Sequence, residues 1–284
     1  MFKSSKVQVR TYTSKNTISF LNLIGDIFKD VYGSFYLAKQ LAVRDIKASY
    51  RQSILGILWM FVNPITTALV WIFLNNSGTV KITDTGMPYP VFAFTGTLLW
   101  SLIIEAINTP AQSTRSGMGM MSKVNFPKEA LIISGLFKMI FDTLAKIALL
   151  IIFLVMYEIH FTWYLILVPF VMLGSIFFGI VIGLFITPFS LLYSDISRFI
   201  SLGLRFLMYA TPVVYAIPKE ESFIRTAMLL NPFTPLLQTM RELVTGQELT
   251  MLPYFIGVLA VSLLISLAGL FFYRISIPII IERS

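Results

Sequence analysis

The stretch Val43–Pro64, VRDIKASYRQSILGILWMFVNP, constrains the chain more than any other. A charged amphipathic segment runs straight into an almost wholly apolar one. Arg44, Lys47 and Arg51 fall at i, i+3 and i+7 and share one helix face. Val43, Ile46 and Tyr50 repeat that spacing one position earlier and form the neighbouring face. From Ile54 to Leu74 no residue carries a charge. A segment that lies along an interface and then turns into an apolar medium has this pattern, so the chain reads as a membrane protein with a basic collar on its cytoplasmic side.

Composition supports the same solvent. Of 284 residues, 56% are hydrophobic and only 13% charged, against about 25% charged in soluble domains. The net charge of +8 would suit nucleic acid if it covered a polar domain. Here the basic residues gather at the ends of apolar runs, which suits anionic lipid or a charged lipid-linked substrate and excludes a nucleic-acid partner. There is no cysteine and a single histidine, His160. A disulfide scaffold, a thiol nucleophile and a cysteine or histidine metal site are thereby set aside, and no cofactor is expected on this chain.

A span needs about 20 mostly apolar residues. Six segments qualify: Ile54–Leu74, Pro90–Thr109, Leu131–Tyr157, Trp163–Leu192, Phe199–Ile217 and Met251–Tyr273. A further stretch, Phe223–Val244, carries Arg225, Arg241 and Glu242 and is interrupted by Asn231-Pro232 and Pro235. Prolines so spaced stop a continuous helix, so two short helices in a re-entrant hairpin are expected. With the N-terminus inside, eighteen Lys and Arg fall on the cytoplasmic side and four (Lys81, Lys219, Arg225, Arg241) outside. That bias places both termini in the cytoplasm. The expected fold is an all-α polytopic membrane protein. Its parts are a polar arm (1–35), an amphipathic interface helix (36–53), a six-span domain (54–275) with the hairpin at 222–244, and a short tail (276–284).

Four features invite a functional role, each beside a plainer one. The stripe Arg44, Lys47 and Arg51, with Tyr50, either recruits an anionic head group or only fixes the depth and tilt of its helix. The loop RSGMGMMSKVNFPK at Arg115–Lys128 is either a solvated basic loop or a short cytoplasmic helix docking on a partner, with Phe126-Pro127 as stop and apolar plug. Its Gly-Met-Gly is no phosphate cradle, because neither a strand nor a Gly-Lys-Ser/Thr ending accompanies it. Charges within spans are rare and functional by default. Lys138, Asp142 and Lys146, at i, i+4 and i+8, are expected to pair along their own helix, whereas Glu105 has no local partner. Trp59, Asn63, Trp100, Glu105 and Tyr209 are the candidates for lining a pathway. Aromatic faces there stack against sugars, though most aromatics in such a chain meet lipid or pack.

The segment RDIKASYRQSILGILWMFVNP resembles the opening signature of type-2 ABC transporter permeases that export polysaccharides: O-antigen, capsule and teichoic acid. The likeness continues through NFPKEAL at Asn125–Leu131, YSDISRF at Tyr193–Phe199, TPVVY at Thr211–Tyr215 and NPFTPLLQTMREL at Asn231–Leu243. The motifs keep the family's order over residues 36–275. One departure is Ser194-Asp195, where the family usually has Arg-Asp.

The resemblance implies a homodimer in the bacterial cytoplasmic membrane, paired with a separate ATPase dimer that binds ATP and magnesium. It implies a lipid-linked glycan as substrate and no bond chemistry on this chain. Residues 36–52 would form the interface helix, and Lys123, Asn125, Phe126, Pro127 and Lys128 would contact the ATPase. Asn231, Pro232, Pro235 and Arg241 would belong to an outer gate. An ABC exporter of a drug or small lipid is the alternative. An ion-coupled secondary transporter, motivated by Glu105 and Asp142, lacks the inverted repeats expected of many such folds. A membrane-embedded glycosyltransferase would need catalytic carboxylates on a longer polar loop than any here.

Overall fold

The computed structural model describes residues 20–51, 54–78, 85–121, 123–124 and 126–283. Every regular element among them is helical. Helix α1, Phe20–Arg51, is 32 residues long. It starts well before the expected interface helix and takes in part of the expected arm. Ala38, Leu41 and Ala42 are buried on one side, and α1 lies along α4, where Phe35 meets Phe137 edge-to-face at 5.9 Å. Apolar residues at helical spacing with charges opposite dictate this one-sided burial.

A 3-10 turn at Gly56–Leu58 leads into α2, Trp59–Asn76. Helix α3, Tyr89–Met121, is the central post, with eighteen of its 33 residues buried. At 1.5 Å per residue it is about 50 Å long, more than the roughly 30 Å hydrocarbon layer, so it projects beyond it. Helix α4, Glu129–Met156, packs on α3 with Phe94 stacked on Phe153 at 4.0 Å. After a 3-10 turn at Trp163–Leu167, α5, Val168–Leu192, crosses α3 closely. Gly179 and Gly183 permit that approach: a Cβ on Gly179 would meet the side chain of Ala106, and one on Gly183 the carbonyl of Ile107. Small residues four apart bring backbones together in a medium that offers no hydrophobic drive between helices.

Among the described residues, five segments are long and apolar enough to cross a membrane: Gly56–Asn76, Tyr89–Met121, Glu129–Met156, Trp163–Leu192 and Leu252–Glu282. The expected span at Phe199–Ile217 is not among them. Helix α6, Ser194–Ala210, has 17 residues, carries Arg198 and Arg205, and buries only Leu204. It stops at Ala210 because Pro212 disfavours helical backbone at the residue before it, and Thr211 is extended at φ −109°, ψ 139°.

The segment after α6 tucks inward, with Thr211, Val213 and Val214 buried. Two short helices follow, α7 (Phe223–Leu230) and α8 (Phe233–Thr245), parted at Asn231-Pro232 as the sequence leads one to expect. Pro235 sits in the first turn of α8, where no intrahelical N–H bond is lost. Helix α9, Leu252–Arg283, closes the described chain. The Glu242 carboxylate accepts from the Thr250 hydroxyl and from the Met251 N–H at 3.1 Å, satisfying donors at the start of α9.

Candidate functional site

A cavity of about 610 Å³ opens between α2, α3, α4 and α6. Trp59 and Pro64 of α2 face Trp100 and Glu105 of α3 across it, with Asp142 and Lys146 from α4 and Arg205 and Tyr209 from α6. The structure thus brings Trp59, Trp100, Glu105 and Tyr209 together. The Asn63 side chain lies outside the described residues. Two carboxylates and two cations leave the wall formally neutral, with aromatic rings between the charges.

Lys146 makes its direct ion pair off its own helix. Its Nζ donates across to Glu105 Oε2 at 2.7 Å, joining α4 to α3. Asp142 feels Lys138 and Lys146 of its own helix as expected, and Glu105 acquires the partner that local spacing did not show. Asp142 lies within electrostatic reach of both groups. Rotation of α4 about its axis decides this pairing: Lys146 is buried in the α3 contact, 8% exposed at its side chain. Short of an ion pair there, a buried ammonium would cost several kcal/mol.

Trp100 contributes a second polar feature. Its ring packs on Phe233 at 5.5 Å, and Phe233 also meets Phe178 edge-to-face. Its indole Nε1 is buried and has no hydrogen-bond partner among the described residues. A buried donor left unpaired costs about 1–3 kcal/mol.

A second cavity, about 280 Å³, lies toward α1. Asp45 and Ser49 of α1 line it with Gln112, Ser113 and Lys138. Glu105 lines both cavities and stands between a polar crevice and the aromatic one. The basic stripe belongs to neither. Arg44 is 52% exposed and paired with its neighbour Asp45 at 2.7 Å, while Lys47 and Arg51 are exposed on the same helix. The Tyr50 side chain lies outside the described residues.

Of the stretch Arg115–Lys128, residues 115–121 belong to the end of α3, and the described residues that follow form no separate helix before α4. Lys123 and Val124 form a turn, and Phe126-Pro127 runs without regular structure into α4. Asn125 lies outside the described residues. Phe126 and Lys128 line a small cavity of about 160 Å³ with Pro278, Ile281 and Glu282 of α9, so the loop rests on the end of the last helix.

At the hairpin, Asn231 acts as a hinge pin. Its Oδ1 accepts from the Phe233 N–H at 3.0 Å, and its Nδ2 donates to the Thr211 hydroxyl at 2.8 Å. Arg241 is buried, 3% exposed. Its guanidinium donates to the carbonyls of Pro212 (2.7 Å) and Val213 and lies 3.5 Å over the Phe92 ring. Backbone carbonyls and a ring face stand in for a carboxylate, and they staple the 211–214 segment between α8 and α3.

Sequence reasoning missed Asp30, Glu129 and Arg274, which meet from three helices. Each is unremarkable in its local window. A basic residue near the end of a span and a carboxylate at the start of one were the available signals, and neither names its partner.

The chain matches the profile of the ABC-2 type transporter membrane family over residues 36–245. An O-antigen export system permease protein RfbA of Klebsiella pneumoniae is 26% identical over 258 residues, covering 86% of this chain and 96% of that protein. A second Klebsiella pneumoniae RfbA is 27% identical over 75% of this chain and 82% of its own length. An RfbA of Myxococcus xanthus is 27% identical over 74% and 81%. The family profile takes in the basic stripe, the aromatic cavity and both hairpin helices in one alignment, and on that ground the chain belongs to the ABC-2 type transporter family, as a multi-pass membrane subunit.

Proposed function

We propose that the chain is the membrane half of an ATP-driven exporter that moves a lipid-linked polysaccharide across the bacterial cytoplasmic membrane. The observation that carries this reading is alignment over nearly the full length of a permease named for O-antigen export. Capsule and teichoic-acid polymers share the relevant chemistry, a polyhydroxylated chain on a phosphate-bearing lipid. Two copies pair with two ATPase subunits, which hold ATP and magnesium and dock at the Lys123–Lys128 loop. Both termini face the cytoplasm, α6 completes the set of six crossings, and the α7–α8 pair forms a re-entrant outer gate. Membership of an ABC family sets the ion-coupled reading aside.

On this reading Arg44, Lys47 and Arg51 gather the anionic linkage of the carrier at the cytoplasmic surface, each cation contributing about 1 kcal/mol near an anionic interface. Sugar rings then pass the aromatic wall of Trp59, Trp100 and Tyr209. The test is ATP hydrolysis by the co-purified permease–ATPase complex in lipid nanodiscs, with lipid-linked glycan or the bare carrier lipid added. Glycan should stimulate hydrolysis and the bare lipid should not. Equal stimulation by both would favour an exporter of small lipids. Neutralising Arg44, Lys47 and Arg51 together should raise the glycan concentration for half-stimulation by about tenfold or more, with the maximum preserved. An unchanged half-stimulation point would leave the stripe as an anchor only.

Trp100→Phe keeps an aromatic face but trims the indole to a smaller ring. The maximal stimulation should fall about threefold to tenfold if the indole face stacks against passing sugar rings. Wild-type stimulation in this variant would remove Trp100 from the pathway.

A further inference from the structure

Arg274, near the cytoplasmic end of α9, reaches two carboxylates at once. Its Nη2 lies 2.6 Å from Asp30 Oδ2 on α1, and its Nη1 lies 3.1 Å from Glu129 Oε1, the first residue of α4. Glu129 is 4% exposed at its side chain, and Asp30 and Arg274 are each 25% exposed. Glu129 directly follows the Lys123–Lys128 loop. The planar guanidinium suits a double engagement that a lysine's point charge cannot reproduce.

Neighbouring contacts make the site stiff. Tyr273, wholly buried, shares a hydrogen bond of 2.7 Å with the Thr114 hydroxyl of α3. Tyr273, Ile277 and Ile280 of α9 pack with Ile132 of α4 and Leu184 of α5 in a small apolar cluster of their own. Phe126 and Lys128 of the loop rest beside Pro278 and Ile281 one turn farther along α9. An ion pair half-shielded by such packing is screened less than a surface one and leaves a buried carboxylate exposed to full penalty when broken.

We infer that Asp30, Glu129 and Arg274 form a three-helix tether that carries displacement of the ATPase-docking loop to the interface helix α1 and the last span as one rigid body. The inference rests on the proposed role of that loop. Arg274 is a positioning residue: it touches neither substrate nor nucleotide, and it acts by holding α1 and α4 in fixed register.

The chain has no native cysteine, so Lys39→Cys on α1 and Ile279→Cys on α9, both exposed, admit one pair of spin labels per copy, and assembling labelled with excess unlabelled chain on a cysteine-free ATPase isolates the distance within one copy. The wild-type distance distribution should be narrow and unchanged between the nucleotide-free and ATP-trapped states. Arg274→Gln should broaden it in both. In parallel, the ratio of glycan-stimulated to basal hydrolysis should fall about fivefold or more in Arg274→Gln, a coupling loss in the usual range, with basal hydrolysis retained. Arg274→Lys should retain an intermediate ratio. Adding Asp30→Asn to Arg274→Gln should cost nothing further, because the groups act as a unit. An unbroadened distribution in Arg274→Gln, or a ratio equal to wild type, overturns the tether. If Arg274→Gln does not assemble, Asp30→Asn alone, which leaves the buried Glu129 paired, is read by the same two criteria. A wild-type complex that no glycan stimulates would sink the polysaccharide reading instead, and the label distances would still decide the tether.

Discussion

Gly96→Ala will destabilise the protein far more than its single added methyl suggests. A Cβ on Gly96 would overlap the Val213 carbonyl and the Arg241 guanidinium, both held in the staple between α3 and α8. Neither can yield cheaply. The carbonyl belongs to a buried backbone segment, and moving the guanidinium breaks its bonds to Pro212 and Val213 inside the bundle. Overpacking combined with a loosened buried cation should cost about 2–4 kcal/mol. Tryptophan fluorescence during thermal unfolding of the nanodisc-embedded protein reads the loss, since four tryptophans are present. Gly203→Ala on α6 is the matched control. Nothing lies within 4 Å of its Cβ position, and the change should be neutral or stabilising by up to about 1 kcal/mol through reduced chain entropy. Equal midpoints for the two variants would show that the 211–214 segment is not held as described.

The second large effect concerns Lys146→Met, which keeps the shape of the side chain and deletes the ammonium. Glu105 then shares the cavity wall with Asp142 and Arg205 but without the ammonium paired with it. Glu105 is 34% exposed at its side chain, so water screens part of the loss, and about 1–3 kcal/mol is the expected cost. Glu105→Gln should cost less, because Lys146 stays within reach of Asp142. The double variant Glu105→Gln/Lys146→Met should recover part of the stability lost in Lys146→Met. Thermal midpoints of the four proteins form the cycle. Strict additivity would mean that the 2.7 Å pair adds nothing to the fold.

Local order was legible wherever one segment decided it. The break between α7 and α8 follows from Asn231-Pro232, because proline's missing donor acts on its own turn. Spacing marked α1 as amphipathic but put Val43 on its apolar face, whereas packing on α4 buries Ala38, Leu41 and Ala42 and leaves Val43 exposed. Helix α6 ends at Ala210, short of the expected bound at Ile217, for a reason also present in the chain: Pro212 stops the helix at the residue before it, and hydropathy averaged over a window hides that stop. The loop before α4 illustrates a different limit. Its residues left a loop and a short helix equally open, and its closeness to Pro278 and Ile281 at the far end of the chain has no local signal.

The candidate site divides along the same line. Trp59, Trp100, Glu105 and Tyr209 were nameable one by one, from their types and their place in apolar runs. Their meeting in one cavity depends on how α2, α3 and α6 are rotated, and a single helix's periodicity does not specify that.

By itself the amino-acid order determined an apolar medium as solvent, the basic amphipathic stripe ahead of the first span and the helical break near Asn231. Each is a property of hydropathy or backbone stereochemistry within a few turns. Only the tertiary structure decided the partners of the buried charges: Lys146 with Glu105, 41 residues away; Arg274 with Asp30, 244 away; Arg241 with two carbonyls rather than a carboxylate. Ion pairing is decided over a few ångströms of space, and the distance between helices in sequence carries no trace of it.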